Sequence, residues 1–221
     1  MSGDELDEAD EMELSGAAFV EHPGVRLDAV DILRRARAAY GPDGRLPLPP
    51  QARWPIFPFE TDRLRARPLE DVVQPEPPRR GEAAEECSTC AMTDDEFVWT
   101  DARWRVSMPA EPASIPTVVL HTREHLDFHE LTDEHGAELG VLAVRAQRAL
   151  ASIAGVGRVH VYKWGDGGAH LHVVLGARPE GMIQLKGMFL PVWMYILPPL
   201  PADQWTAIRD HVAAELAAAG R

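Results

Sequence analysis

Two histidines separated by one leucine, His170 and His172, open an apolar run that ends at Arg178. If that run is a strand, alternate residues face the same way and both imidazoles stand on one side. One ring can then serve as a metal ligand while its neighbour stays free for chemistry. Upstream, Cys87-Ser88-Thr89-Cys90 and the single His125 offer three further donors. With His170 they make the four N and S ligands of a tetrahedral zinc site. Such a site would bind together parts of the chain that lie far apart in sequence, which narrows the folds available to it.

At 221 residues the chain can bury a full core, and one domain with extensions is expected. The formal net charge of −13 argues against sequence-independent binding to nucleic acid, which depends on Lys and Arg neutralising phosphates. Much of the acid is local. Asp4, Glu5, Asp7, Glu8, Asp10, Glu11 and Glu13 follow one another without a base, so residues 1–18 read as a solvated acidic tail. The two cysteines sit too close together for a long disulfide framework, and the acidic start is unlike a secretory signal. A cytoplasmic protein is expected. Met182 to Leu200 is apolar, but Gln184, Lys186, Gly187, Pro191, Pro198 and Pro199 interrupt it, so it reads as core or interface and not as a membrane span.

Residues 19–85 hold a short helix and a proline-rich arm. Leu27, Val30, Leu33, Ala36 and Tyr40 recur at helical spacing before Gly41-Pro42, and the prolines from Pro47 to Pro78 then prevent a ladder or a helix. Trp54, Ile56, Phe57 and Phe59 are too apolar for a spacer, so this arm should lie across the core. Residues 86–180 change character. Short runs at Phe97–Thr100, Trp104–Met108, Thr117–His121, Gly157–Trp164 and His170–Leu175 read as strands. Thr132–Ala154 reads as the longest helix, with Thr132 as its N-cap. Residues 181–221 bring an apolar segment and a helix with Trp205, Ile208, Val212 and Leu216 on one face. The order indicates an α+β fold: an antiparallel sheet of about five strands, one long helix, the arm and a C-terminal helix.

A Cys-x2-Cys pair also allows a redox dithiol, but no strand-to-helix context of the thioredoxin type surrounds it. Among the remaining histidines, His121 ends a strand and is a spare ligand, and His129 reads as a solvated surface group.

The run Gly165-Asp166-Gly167-Gly168-Ala169-His170-Leu171-His172-Val173-Val174-Leu175-Gly176-Ala177-Arg178 resembles the histidine-triad superfamily of nucleotidyl hydrolases and transferases, whose motif is His-x-His-x-His followed by apolar residues. It is most similar to the galactose-1-phosphate uridylyltransferase branch, with which it shares the upstream zinc-type pair. The resemblance spans roughly residues 86–180. It implies zinc on Cys87, Cys90, His125 and His170, with His172 as the residue that attacks the α-phosphorus of a nucleotide and carries the nucleotidyl group. A neutral imidazole is nucleophilic at pH 7, which suits that role. The resemblance also implies a homodimer paired through sheets.

Arg178 falls where many members carry an arginine after the triad strand, and it is a candidate phosphate contact. Gly167 and Gly168 are candidate substrate contacts through a backbone anion nest. The third triad position is Val174, where hydrolases have histidine and the uridylyltransferase branch has glutamine. The loop before the triad is also shorter than the family's. Two readings follow: a nucleotidyl hydrolase or transferase with weak or altered activity, or a catalytically lapsed, zinc-stabilised binding or assembly protein.

Overall fold

The computed structural model describes residues 29–54, 57–60, 62–195 and 197–219. The acidic tail and Leu27 lie outside the described residues. Five strands form one antiparallel sheet: β1 (Trp99–Thr100), β2 (Trp104–Ser107), β3 (Thr117–Thr122), β4 (Val156–Tyr162) and β5 (Val173–Pro179). Their order is β1-β2-β3-β5-β4, which puts β3 in the middle with β2 and β5 on either side. The helices are α1 (Ala29–Ala38), the single turn α2 (Ser88–Ala91), α3 (Asp133–Ala151), the short α4 (Leu190–Met194) and α5 (Ala202–Ala219). This is the α+β arrangement expected from the sequence.

Strand alternation separates the two faces of the sheet. On one, Trp104, Val106, Val118, Leu120, Val173 and Leu175 are buried against Leu139, Leu142 and Ala146 of α3 and Trp205, Ile208 and Val212 of α5. Removing these side chains from water supplies most of the driving force for folding, at about 25 cal/mol per Å² of apolar surface. Thr132 caps α3 by accepting from the His135 amide at 3.2 Å. The helix stops at Ala151, before Gly155, whose φ of 86° ends any helical path into β4. It is therefore shorter at its C-terminus than the apolar periodicity predicts.

The opposite face is covered in part by a second, smaller core of Ile115, Leu185 and Leu190. Gly176 on β5 lets that segment approach closely, since a Cβ there would lie 3.2 Å from the Leu190 side chain. The arm reaches this layer through aromatic rings. Phe57 and Trp54 each meet Phe189 edge-on, with ring centres 5.4 and 6.4 Å apart. Trp54 and Phe57 thus pack on the C-terminal segment, which itself lies on the sheet; Ile56 lies outside the described residues. None of the helices among the described residues is long and apolar enough to cross a membrane.

The end of the arm is fastened next to β5's entry. Arg79 donates to the Asp127 carboxylate at 2.6 Å and to the Gly165 carbonyl at 3.1 Å, and it also pairs with Glu82. Burial raises the Asp127 carboxyl, but hydrogen bonds from Arg79 and the Phe128 amide, with Lys163 beside it, outweigh this and hold it at about 2. One residue on, the Arg80 carbonyl accepts the Ala169 amide at 3.2 Å. These bonds bring the arm, the loop after β3 and the loop before β5 together.

Candidate functional site

The histidine segment sits just ahead of β5, not within it. The Leu171 amide donates to the Leu126 carbonyl at 2.7 Å, and the Leu171 carbonyl accepts from His121 Nδ1 at 3.1 Å. With its backbone groups engaged there, the chain joins the β3 ladder only from Val173. The expectation that a strand begins at His170 is corrected accordingly.

Cys87 precedes α2, and the Ala91 amide closes that turn on the Cys87 carbonyl at 3.1 Å. Residues three apart on a helical turn are neighbours, so both sulfurs face the same way. Gly81, with φ of 66°, turns the arm into this knuckle; a Cβ there would lie 3.1 Å from Cys87 Cα.

His170 Nδ1 lies 3.5 Å from Cys87 Sγ and 3.4 Å from Cys90 Sγ, and His125 Nδ1 lies 3.3 Å from Cys90 Sγ. All four donor atoms fall within 4.8 Å of one another, a cluster suited to a metal ion. With Zn–S near 2.3 Å and Zn–N near 2.05 Å, a tetrahedron places sulfur and nitrogen about 3.6 Å apart, close to the spacing here. The far side of each ring agrees. His170 Nε2 donates to the Thr122 carbonyl at 2.8 Å, and His125 Nε2 donates to the Glu82 carbonyl at 3.4 Å. Carbonyls accept only, so each Nδ1 keeps its lone pair toward the sulfurs. Burial pushes His170 below the ordinary histidine range, and burial followed by the neighbouring Cys87 pushes the Cys90 thiol up to about 11. The soft, mixed S and N donor set, its spacing and its outer hydrogen bonds all fit zinc.

His172 lies outside this cluster. Its Nδ1 donates to the His170 carbonyl at 2.9 Å, which leaves Nε2 with a lone pair. It lines a pocket of about 280 Å³ together with Arg80, His121, Gly167, Gly168 and Val174. Val174 and its cross-strand partner Val119 give that pocket an apolar wall where the resemblance leads one to expect a polar side chain.

Gly167 and Gly168 do line the pocket, but neither is among the glycines with positive φ, so they do not form the alternating nest expected of them. The next amide, Ala169, is already bonded to Arg80. Arg178 does not line this pocket. It lies six residues beyond His172, about 20 Å along an extended chain, and its guanidinium donates to the Pro179 carbonyl. A phosphate contact by Arg178 therefore has no support at this site.

His121 is not in the metal cluster either. Buried between Ser107 Oγ, 2.9 Å from its Nε2, and the Leu171 carbonyl, it is pushed down to about 4 chiefly by burial and stays neutral. His129 is partly exposed beside Asp127. Sequence reasoning overlooked Arg80 and the Ser107–His121 pair. The period-two alternation of β2 and β3, which puts Arg105, Ser107 and His121 on one face, was the available signal for the pair. Arg80 had none beyond its closeness to Cys87.

No family model matches the chain, and no curated protein matches it in sequence. Among solved structures it is similar to a hypothetical histidine triad nucleotide-binding protein from Sulfolobus tokodaii strain7, at 15% identity and a TM-score of 0.46, over 61% of this chain and 95% of that one. It is likewise similar to a zinc-bound histidine triad family protein from Mycobacterium smegmatis, at 13% identity and a TM-score of 0.46, over 62% and 99%. A uridylyltransferase matches 60% of this chain with 44% of its own length, at 19% identity and a TM-score of 0.37. The chemistry of this chain rests on its own residues.

Proposed function

We propose that the chain is a zinc-stabilised, histidine-triad-type protein that binds a nucleotide and transfers or hydrolyses its nucleotidyl group through His172. Cys87, Cys90, His125 and His170 would hold the zinc, whose contribution when bound is to fix these four side chains and the loops that carry them. The observation that carries the reading is the 2.9 Å bond from His172 Nδ1 to the His170 carbonyl, which holds the nucleophile's ring by the residue that is itself a ligand. The His172 Nε2 lone pair attacks the α-phosphorus. A P–N bond forms as the bond to the departing phosphate oxygen breaks, and the leaving group departs with the electron pair. Water or another oxygen acceptor then attacks the same phosphorus, gives up its proton to solvent water and breaks the P–N bond, whose electron pair returns to Nε2 and leaves a neutral imidazole.

Val174 favours a second reading. A valine beside His172 leaves the phosphate without one polar contact, and losing one such donor costs on the order of 2.7–4 kcal/mol of barrier. On that reading the fold is kept as a zinc-stabilised binding protein. Incubating metal-loaded protein with radiolabelled nucleoside triphosphates separates the two. Labelled protein or product, lost in His172→Ala at unchanged zinc content, supports the enzyme; nucleotide retention without adduct or product supports the binding protein. Activity that persists in His172→Ala rules this residue out as the nucleophile.

A further inference from the structure

From the geometry we infer that Arg80, supplied by the proline-rich arm, is the residue that recognises the substrate's phosphates. The assignment rests on the pocket beside His172 being the phosphate site of the proposed reaction. Of the residues lining that pocket, Arg80 alone carries a permanent positive charge. The rest of the lining is neutral or apolar, Ser88, Thr89, Val119 and Val174 among it, and the glycine loop forms no nest. In a chain of net charge −13, a polyphosphate entering the pocket needs a local cation to offset the general repulsion.

The two adjacent arginines divide their work. Arg79 is spent on structure, with its guanidinium hydrogen-bonded to Asp127, Glu82 and the Gly165 carbonyl. Arg80 is exposed, and among the described residues its side chain makes no hydrogen bond or ion pair. Its backbone is nonetheless fixed. The segment forms a parallel bridge with Gly168, its carbonyl holds the Ala169 amide, and Gly81 immediately turns the chain toward Cys87. A free guanidinium on an anchored, exposed residue of a pocket that also holds an available imidazole nitrogen suits bidentate binding of phosphate oxygens. The arm thereby becomes part of the active site, and Arg80 supplies a polar contact that Val174 does not.

The test uses full-length, metal-loaded protein in the His172→Ala background, so that nothing turns over. Calorimetric titrations with a nucleoside triphosphate, inorganic pyrophosphate and the bare nucleoside compare Arg80, Arg80→Gln and Arg80→Lys. Arg80→Gln is expected to weaken triphosphate and pyrophosphate binding by about tenfold to a hundredfold, with the nucleoside unaffected and Arg80→Lys recovering part of the loss. Zinc content and the thermal midpoint stay unchanged. Triphosphate binding that is equal in Arg80 and Arg80→Gln overturns the assignment and leaves the nucleotide reading standing. Pyrophosphate binding that needs Arg80, in a protein that binds nucleotides no more tightly, upholds the assignment and overturns the nucleotide reading. Equal weakening of the nucleoside, or loss of zinc, shows a merely structural Arg80 and overturns the assignment; binding of none of the three overturns both.

Discussion

His172 Nδ1 donates to the backbone carbonyl of His170 across 2.9 Å, so the ring proposed to do the chemistry is held by the residue whose own ring faces the two cysteines. Metal site and pocket thus adjoin on one three-residue segment, with the ligands Cys87 and His170 lining the pocket beside His172. Substitutions should separate them. His172→Ala is expected to keep a full complement of zinc and to lose less than about 1 kcal/mol of stability, because a half-buried ring making one hydrogen bond is removed. His170→Ala is expected to lose the metal and to unfold more readily. Metal analysis and denaturant titration of the two variants check this, and equal metal loss in both would break the separation.

Metal removal should loosen the arm before it unfolds the sheet. All four proposed ligands lie in loops or a single helical turn, while the main core between the sheet, α3 and α5 contains none of them. Chelation is expected to lower the thermal midpoint by roughly 10 °C or more, at about 2–4 °C per kcal/mol for a chain of this size. Hydrogen exchange should rise first at residues 79–91 and 123–127, with α3 still protected. Uniform exchange across the chain would contradict this order.

The Ser107–His121–Leu171 chain of hydrogen bonds should act on His172 at second hand. His121→Phe keeps a ring but leaves the Leu171 carbonyl and Ser107 Oγ without their partner, at a cost of about 1–3 kcal/mol. The expected result is slower adduct formation at unchanged zinc content, read by quenched-flow labelling. An adduct rate equal to that of the parent protein would show that this chain of bonds only stabilises the fold.

Val174→Gln supplies an amide where the pocket wall is now apolar. Adduct formation is expected to accelerate tenfold or more, against a stability cost of about 1–2 kcal/mol for the half-buried polar group. The same labelling assay reads the rate. No acceleration would mean that the site is limited elsewhere.

The metal cluster was legible because its two cysteines are the only ones in the chain and sit in one Cys-x2-Cys loop, while the resemblance pointed to His125 and His170 and left His121 as a spare. The long helix and the alternating strands were legible from periodicity. Other features depend on partners distant in sequence. The strand start moved from His170 to Val173 because the Leu171 amide finds the Leu126 carbonyl, a contact with no local signature. Arg178 looked apt at a strand end, yet strand direction carries it away from the pocket. Arg80 was one arginine in a proline-rich stretch, and only its bridge to Gly168 gives it a place.

X-ray absorption at the zinc edge, on protein purified without added metal and then loaded with one equivalent, reads the proposed centre directly. The account predicts one tightly held zinc per chain with two sulfur and two nitrogen neighbours, near 2.3 and 2.05 Å. A shell without sulfur, or a chain that folds normally and takes up no metal, would contradict it.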